Sequence, residues 1–572
     1  MRFPRLTRLI SGAFIGLSVA APGFAQGLAG PYLAARQADR SRDFAAAVEY
    51  GIRAIARDPK DTGLMETLLV AEIGLGAFDQ AVPIARRLHA LEDGNKIAGL
   101  VLLAASIKAE DWPGVEAALQ DKVSIGGSLD DLIGGWALFG QGDREAAFKV
   151  FKKLGKAGET GQIALYNLAI AHALAGGFKA AAEILSGQAG GEVQLDRKGI
   201  IAYAQILSQL ERNPAAVELI DKAFPGGGDA EIAALRADLA AGKPIAFSVV
   251  SGPRQALSDV FGAIAQALAR EMQPEVVLLY SRTSAYLNPR NYEAVLLSAT
   301  LLELLERYDL AVATYAQVPR DSRLYRTASL SRAEALRRWG KGDEAIAVLE
   351  KLAAEFPDAV NVYKTLGDTF RFQHQCDKAI APYDHAIGLI ETPQKAHWSL
   401  FFARGICHEQ EDQWDAAEAD LLKALELYPD QPSVLNYLGY SWVEQRRNLD
   451  QALDMIRRAV AARPEDGYIT DSLGWVNYRL GNYREAVGEM ERAVELMPVD
   501  PVLNDHLGDV YWAVGRKLEA EFQWRRALSF MTDDTDPDEF DAERVRRKLE
   551  VGLDKVLQEE GAPPLHPVNE GG

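Results

Sequence analysis

The 572-residue sequence contains only two cysteines, Cys376 and Cys407. Two cysteines cannot build a multi-cysteine zinc site or the disulfide framework that holds small secreted domains together. Basic residues are also scarce, with 62 Lys and Arg against 81 Asp and Glu, and the formal net charge is −19. Because nucleic acids and anionic membranes are bound mainly through cationic side chains, we expect neither as a partner.

Long apolar runs are absent after the first residues of the chain. Residues 9–21 form an apolar stretch that is too short to cross a bilayer, which needs about 20 residues. Small residues follow it at Gly23 and Ala25, the positions that a signal peptidase reads. Three basic residues precede it: Arg2, Arg5 and Arg8. We expect a signal peptide over residues 1–25, cleaved after Ala25, a periplasmic location, and no membrane-spanning segment after cleavage. The alternative is an uncleaved membrane anchor.

Catalytic motifs are missing as well. No serine-nucleophile elbow, P-loop or dinucleotide-binding glycine turn occurs. The one local group of histidines and cysteines does not have the spacing of a common zinc site. It consists of His374, Cys376, His385, His397, Cys407 and His408. We therefore expect no enzymatic activity, no bound metal and no cofactor.

Small residues, in contrast, recur with a regular period. The alanines are spaced by 34 to 38 residues, and glycines and prolines recur in phase with them. The alanines are Ala311, Ala345, Ala379, Ala417, Ala452, Ala486 and Ala520. The glycines are Gly405, Gly439, Gly474 and Gly508, and the prolines are Pro357, Pro429, Pro464 and Pro498. This period is that of a helix–turn–helix unit, in which small residues let two helices approach and proline ends the second one. The pattern predicts an all-α solenoid of stacked hairpins, because one hairpin cannot bury its apolar face alone.

The repeat is clearest in residues 471–475 and 481–486, followed by Ala493 and Pro498. These residues resemble the tetratricopeptide repeat. The resemblance implies a right-handed superhelical solenoid, a concave face lined by the first helix of each repeat, and partners that are other proteins or extended peptides.

The domain organisation follows from where the repeat is strong, weak or interrupted. A glycine- and proline-containing break separates the two parts of the array. It is either a loop packed at a change of superhelical path, with a short extended segment over 245–250, or a hinge between two arms. The expected ranges are 26–240 for degenerate N-terminal repeats, 241–254 for the break, 255–531 for the C-terminal array, 532–560 for a capping helix and 561–572 for a disordered tail.

The capping helix is predicted from two local signals. Residues 536–539 have the sequence of a capping box with proline at the first helical position. An apolar stripe then follows at helical spacing, which can cover the last repeat. The stripe consists of Val545, Leu549, Leu553 and Val556.

The two cysteines are placed at the same edge of the predicted solenoid. Cys376 begins the second helix of its repeat, and Cys407 lies near the end of the first helix of the next one. A disulfide is sterically compatible with this placement if the Cα atoms lie within about 7 Å. An exported protein with one pair favours the bond, and two buried thiols are the alternative.

Aromatic and short polar residues recur on the first helices of the last three repeats. They are spaced by three or four residues and therefore share one helix face. The set is Asn436, Tyr440, Asp471, Trp475, Asp505, Asp509 and Trp512. Aromatic rings supply contact area and Asn and Asp reach backbone groups, so the set predicts a protein-binding groove. Its acids favour a neutral or basic partner. The alternative is that Trp475 and Trp512 fill the core between repeats.

Residues 435–440, 471–475 and 505–512 together resemble a group of bacterial envelope tetratricopeptide proteins. Some of these are outer-membrane lipoproteins that act as adaptors of a carboxyl-terminal processing protease. The resemblance implies a non-catalytic periplasmic scaffold that presents substrates to such a protease. The sequence departs from the lipoproteins because no cysteine follows the apolar stretch of the signal. The alternative function is a structural component of an envelope or polysaccharide assembly or secretion complex.

Overall fold

The computed structural model describes residues 29–156, 161–189, 191, 193–532, 535 and 540–565. The predicted signal peptide, the capping box at 536–539 and residues 566–572 of the predicted tail lie outside this range. The described residues form 31 α-helices and one short 3-10 helix, Lys395–His397, and they contain no β-strand. The predicted all-α class is confirmed.

The chain divides into two compact units, Met1–Gly340 and Lys341–Gly572. Consecutive helices of the first unit pack against each other, except α13 and α14 on the two sides of the break. Its helices are α1 Ala29–Arg40, α2 Phe44–Ile55, α3 Thr62–Leu75, α4 Phe78–Leu91, α5 Lys96–Lys108, α6 Trp112–Gln120, α7 Gly127–Gly140, α8 Arg144–Leu154, α9 Gly161–Leu174, α10 Phe178–Leu185, α11 Arg197–Gln209, α12 Asn213–Ala223, α13 Ala230–Ala240, α14 Pro253–Leu268, α15 Pro274–Leu287, α16 Tyr292–Leu304, α17 Tyr308–Tyr315 and α18 Tyr325–Arg338.

The second unit is a stack of paired helices closed by two short ones. Its helices are α19 Gly342–Glu355, α20 Val360–Phe372, α21 Cys376–Gly388, α22 Trp398–Gln410, α23 Trp414–Leu427, α24 Pro432–Glu444, α25 Leu449–Ala462, α26 Gly467–Arg479, α27 Tyr483–Leu496, α28 Pro501–Ala513, α29 Lys517–Phe530, α30 Ala542–Val551 and α31 Leu553–Glu559. The four repeat prolines each follow shortly after the last residue of a second helix, where a lost backbone donor does no harm.

The periodic small residues lie where the two helices of a pair touch. All seven periodic alanines are fully buried. A Cβ added to Gly439, Gly474 or Gly508 would lie 2.8, 2.7 or 2.4 Å from a side-chain atom of the paired helix. The contacted residues are Ile456, Met490 and Trp524. Close helix approach is therefore the physical reason for the repeat.

Gly508→Ala is expected to destabilise the protein by about 1–3 kcal/mol, because its methyl group would overlap the buried Trp524 ring. The matched control is Gly488→Ala on the neighbouring helix α27, where an added Cβ meets nothing within 4 Å. The control should be neutral or stabilise by about 0.5–1 kcal/mol through helix propensity. Urea unfolding of both variants measures the difference. Equal effects would contradict the close-packing explanation.

The first unit closes on itself. Helices α14 and α15 pack back against α3, α5, α7 and α9. Tyr286 stacks on Phe78 with ring centroids 4.4 Å apart, and its hydroxyl donates to Asp79 at 2.8 Å. The buried Arg282 guanidinium donates to the Gly74 carbonyl oxygen at 3.1 Å. Helix α15 therefore packs against α3 and α5, which precede it by more than a hundred residues in the chain.

The break over 241–254 lies within the first unit and packs along α11. Gln205 and Ser208 accept hydrogen bonds from the backbone N–H groups of Ser248 and Ile245, at 2.8 and 2.9 Å. Gln209 donates to the Ile245 carbonyl oxygen at 2.7 Å. Side chains of one helix face thus satisfy the backbone groups that a second strand would otherwise pair, so this extended segment belongs to no sheet.

The predicted capping helix is two helices, α30 and α31. Its start differs from the prediction, since Asp541 is the N-cap and its carboxylate accepts from the Arg544 backbone N–H at 2.9 Å. Gly552 separates the two helices with φ of 82°, a left-handed conformation that favours glycine. Val545, Leu553 and Val556 of the stripe are buried. In the described part of the chain, no helix is long and apolar enough to span a membrane.

Candidate functional site

The predicted groove residues lie on α24, α26 and α28, which are the first helices of consecutive pairs and lie side by side. Asp and Gln side chains cap these helices and set where each begins. Gln431, Asp466 and Asp500 accept from the backbone N–H three residues later. This common start places equivalent residues of the three helices in register.

Asn436 and Tyr440 form the α24 part of the face. Asn436 donates to the Ser472 hydroxyl at 3.1 Å, while its own carbonyl oxygen is buried without a hydrogen-bond partner in the described residues. Tyr440 is half-buried. Burial, with the charges of Glu444 and Asp471, raises the pKa of Tyr440 above its usual value. The ring is therefore a neutral, partly accessible phenol.

Trp475 is half-buried and held on several sides. Its ring stacks on Tyr478 and on His506, with centroids 4.8 and 4.0 Å away. Its indole N–H donates to Glu444 at 3.3 Å, and Arg479 donates to the same carboxylate at 2.9 Å. Trp475 therefore packs between repeats and also presents part of its ring beside an exposed ion pair. The groove interpretation and the core interpretation of this residue each describe part of its environment.

Asp471 is buried and pairs with His506, whose Nδ1 lies 3.1 Å from both carboxylate oxygens. Burial alone lowers the pKa of His506, but the charge and hydrogen bond of Asp471 outweigh it. With the charges of Asp505 and Asp509, they raise the pKa above its usual 6.5. Asp471 is thus compensated within the protein and is not a free acid for a partner.

The stabilising contribution of the Asp471–His506 pair should depend on pH in a defined direction. Because the folded pKa of His506 is raised, the contribution is complete below the unfolded pKa and is lost as pH rises through the folded pKa. NMR titration of the imidazole should show a midpoint above 6.5. Asp471→Asn should lower that midpoint, and a midpoint unchanged by this substitution would contradict the assignment.

Asp505 and Asp509 do not line an open groove, which corrects the prediction for these two residues. Helix α30 covers them, and the Lys548 ammonium lies 2.9 Å from both Asp505 oxygens and 2.7 Å from Asp509. The Lys548 side chain is 0% exposed. Asp509 also accepts from the Trp524 indole N–H at 2.9 Å. These acids are therefore neutralised by the chain's own C-terminal segment.

Trp512 is half-buried and packs against the cap, which occupies part of the face on which it was predicted to line a groove. Its indole N–H donates to Asp554 of α31 at 3.0 Å, and its ring lies 5.3 Å from that of Trp524. The backbone at Gly552 comes so close that an added Cβ would lie 2.5 Å from the Trp512 ring. The last repeat thus ends the groove instead of extending it.

The residue that the sequence analysis missed is Lys548. It lies three residues after Val545 and next to Leu549, inside the apolar stripe of the predicted cap. A lysine within an apolar stripe indicates a buried counter-charge, because an unpaired ammonium is almost never fully buried. Lys548 within the apolar stripe, together with the two acids of α28, Asp505 and Asp509, would have predicted this buried ion pair from the sequence.

The part of the face that stays accessible is small and mixed in character. We call it the α24–α26 face and define it as Tyr440, Glu444, Trp475 and Arg479. Glu444 and Arg479 are exposed and Tyr440 and Trp475 are half-buried. Two rings beside an exposed ion pair can contact an apolar side chain and exchange charged partners at the rim.

The two cysteines are joined in a disulfide with Cα atoms 4.9 Å apart, and both are buried. The bond connects the start of α21 to the last turn of α22. In the described residues, no group of three or more His, Cys, Asp or Glu side chains has the arrangement of a metal site.

Comparison with known proteins identifies the repeat. The tetratricopeptide repeat pattern matches residues 305–360 and 438–501. A TPR repeat-containing protein of Pseudomonas aeruginosa is 31% identical over 178 residues, which are 31% of this chain. The match spans 29% of the relative, so the chain spans less than a third of the length of this curated protein.

Solved structures give matches of lower identity. The crystal structure of the APC/C hetero-tetramer Cut9-Hcn1 is 14% identical, with 91% of this chain and 96% of that chain covered and a TM-score of 0.37. A tetratricopeptide repeat protein from Parabacteroides merdae is 17% identical, with 46% and 98% covered and a TM-score of 0.37. YrrB, described as a TPR protein with an unusual peptide-binding site, is 18% identical, with 32% and 93% covered and a TM-score of 0.27. Residues 305–360 and 438–501 are therefore similar to tetratricopeptide repeats, and the TPR repeat-containing relative resembles 31% of this chain.

Proposed function

We propose that this chain is an exported, non-catalytic scaffold that binds other proteins through the α24–α26 face. The observation that carries the proposal is the arrangement of this face, where two half-buried rings lie beside the exposed Glu444–Arg479 pair. Large aromatic residues with a charged rim are typical of interface centres. The finer partner assignment is a carboxyl-terminal processing protease and its substrates, which rests on the sequence resemblance.

A photo-cross-linking amino acid at Tyr440 tests the face in intact cells. Its matched control is the same amino acid at Arg457, an exposed residue of the second helix α25. We expect protein adducts from position 440 and few or none from position 457. Recovery of a processing protease would support the adaptor role, while recovery of a multi-protein membrane assembly would support the structural alternative. Equal adducts from both positions would contradict the proposed face.

Arg479→Glu should weaken capture of the cross-linked partner about tenfold, roughly 1.4 kcal/mol, because the ion pair at the rim of the face is replaced by two carboxylates that repel each other. The matched control is Arg479→Glu combined with Glu444→Arg, which restores an ion pair of reversed direction. Both variants should keep the stability of the original protein within about 0.5 kcal/mol, since exposed pairs contribute little. Unchanged capture by a folded Arg479→Glu variant would place the binding surface elsewhere.

The exported location is supported by the basic and apolar character of residues 1–25 and by the disulfide, since disulfides persist in oxidising compartments. We expect the mature protein to begin at Gln26 and to be released by osmotic shock. Intact mass that retains residues 1–25, or recovery only with detergent-solubilised membranes, would contradict this location.

A further inference from the structure

The second helices of the pairs in the second unit share a pattern of buried and exposed positions. In α21, α23, α25, α27 and α29 the periodic alanine is fully buried. The residues two positions before and two positions after that alanine are exposed in all of these helices. The repeats therefore define two equivalent, solvent-facing positions on every second helix. The alanines are Ala379, Ala417, Ala452, Ala486 and Ala520.

Helix α29 carries large apolar residues at these two positions, unlike the other helices. Its residues are Leu518, which is 81% exposed, and Phe522, which is 59% exposed. In α21, α23, α25 and α27 the first position is always charged, and the second is small or charged. The first set is Asp377, Asp415, Asp450 and Arg484, and the second is Ala381, Ala419, Asp454 and Gly488. Because Leu518 and Phe522 are four residues apart, they lie on one helix face and form an exposed apolar patch, which is typical of an interaction site.

The charges around this patch have opposite signs along the helix. Glu519 and Glu521 lie in its first half, and Arg525 and Arg526 lie in its second half. Glu521 pairs with Arg525 of the same chain at 2.9 Å, and their side chains are 35% and 63% exposed. Since an exposed pair within one helix contributes little stability, these two side chains can exchange partners at small cost. We call Leu518, Glu521, Phe522 and Arg525 the α29 patch.

This order of charges is complementary to itself when two copies of α29 run antiparallel. A two-fold axis at the level of residue 523 places Glu521 of each copy opposite Arg525 of the other. The same axis brings the two Phe522 rings together at the centre, as an isologous interface requires. A partner with charge of one sign would instead face a like charge in one half of the helix. The patch therefore matches a second copy of itself.

We propose that two copies of this chain associate through the α29 patch as an antiparallel, two-fold pair. Helix α29 has 14 residues and is about 21 Å long at 1.5 Å per residue. One pair of such helices buries less than a standard interface of about 1,600 Å², so we expect a dissociation constant on the order of 10 μM. The proposal does not rest on the α24–α26 face, which lies on first helices. A dimer carries two such faces and can bind a multivalent partner more tightly.

Sedimentation velocity of the full-length protein tests the dimer over roughly 1 to 200 μM, a range that brackets the expected dissociation constant. We expect a shift from monomer to dimer with concentration. Leu518→Asp combined with Phe522→Ala gives α29 the residues that α23 has, so the fold should tolerate it. The double variant should raise the dissociation constant at least about thirtyfold. The matched control is Leu33→Asp on α1, a residue that is 65% exposed, and it should leave association unchanged.

A charge-exchange experiment tests the antiparallel arrangement itself. Arg525→Glu alone and Glu521→Arg alone should each weaken self-association about tenfold, because like charges then lie opposite each other. An equimolar mixture of the two variants should restore association, since the acids of one chain then face the arginines of the other.

Three outcomes would overturn the proposal. They are a monomer at every concentration, a dimer that Leu518→Asp with Phe522→Ala does not weaken, and a mixture that associates no better than either charge variant alone. A monomer that instead sediments with phosphatidylethanolamine–phosphatidylglycerol vesicles would overturn it in favour of a membrane surface. Arg479→Glu should leave the dimer unchanged, so failure of the dimer and failure of the α24–α26 face are distinguishable.

Discussion

Lys548→Met is expected to destabilise the C-terminal end of the second unit by about 3–5 kcal/mol. The Lys548 ammonium is fully buried between Asp505 and Asp509, and the methionine side chain would leave Asp505 without a paired cation and Asp509 with only Arg544, 3.6 Å away. Breaking a buried ion pair from one side is costly because the remaining charge stays desolvated. Urea unfolding should show the loss, and trypsin should cut after the arginines of α30, Arg544, Arg546 and Arg547, sooner in the variant.

The size of this effect should depend on pH. Burial raises the pKa of Asp505 against the opposing effect of Lys548, and the charge of Asp509 raises it further. Without Lys548 the pKa rises more. An acid with a raised folded pKa binds more protons in the folded state, so stability falls as pH rises through that pKa. The deficit of Lys548→Met should therefore be larger at pH 8 than at pH 5.

The matched control is Lys555→Met on α31, where the exposed ammonium contacts Gln558. We expect its effect to stay within about 0.5 kcal/mol. A triple variant, Lys548→Met with Asp505→Asn and Asp509→Asn, should recover most of the loss because the two acids that Lys548 neutralises are then uncharged. If Lys548→Met and Lys555→Met have equal effects, the buried ion cluster does not hold the cap.

Cys376→Ala combined with Cys407→Ala is expected to lower stability by about 3–4 kcal/mol. The bond closes a loop with a sequence separation of 31, and a loop of this length restricts the unfolded chain by about that amount in the chain-entropy model. Alanine is chosen because both sites are buried and a serine hydroxyl would need a partner. Thermal unfolding with and without a reducing agent measures the effect.

The reducing agent provides the control for the cysteine variant. It should lower the melting temperature of the original protein and leave the double variant unchanged. Identical melting of the original protein in both conditions, with two reactive thiols after denaturation, would show that the cysteines are unbonded. That outcome corresponds to the alternative of two buried thiols.

The repeat and the helix class could be predicted because their signals are local. An alanine at Ala486, a glycine at Gly474 and a proline at Pro498 each act within one hairpin, and the structure buries or places each of them accordingly. The apolar stripe of the cap could also be predicted, because its helical spacing is a local signal. Its division at Gly552 depends on one left-handed residue packed on Trp512, which no helical period predicts.

The candidate site was predicted less completely because its residues depend on elements far apart in the chain. Helical spacing placed Asp505, Asp509 and Trp512 on one face, and the structure keeps them on one helix. Whether that face is open depends on α30 and α31, which lie about forty residues later. Trp475 depends in the same way on His506 of α28, the first helix of the next pair.

The sequence by itself determined which segments form helices, where most of them end, and that the second unit stacks in repeats. These properties follow from propensity, periodicity and contacts within about 34 residues. Only the tertiary structure decided that α14 and α15 fold back onto α3 to α9, and that the cap buries Lys548 on two acids. Those outcomes depend on which distant faces meet and how their charges and volumes match, and a helix-by-helix pattern carries no information about that match.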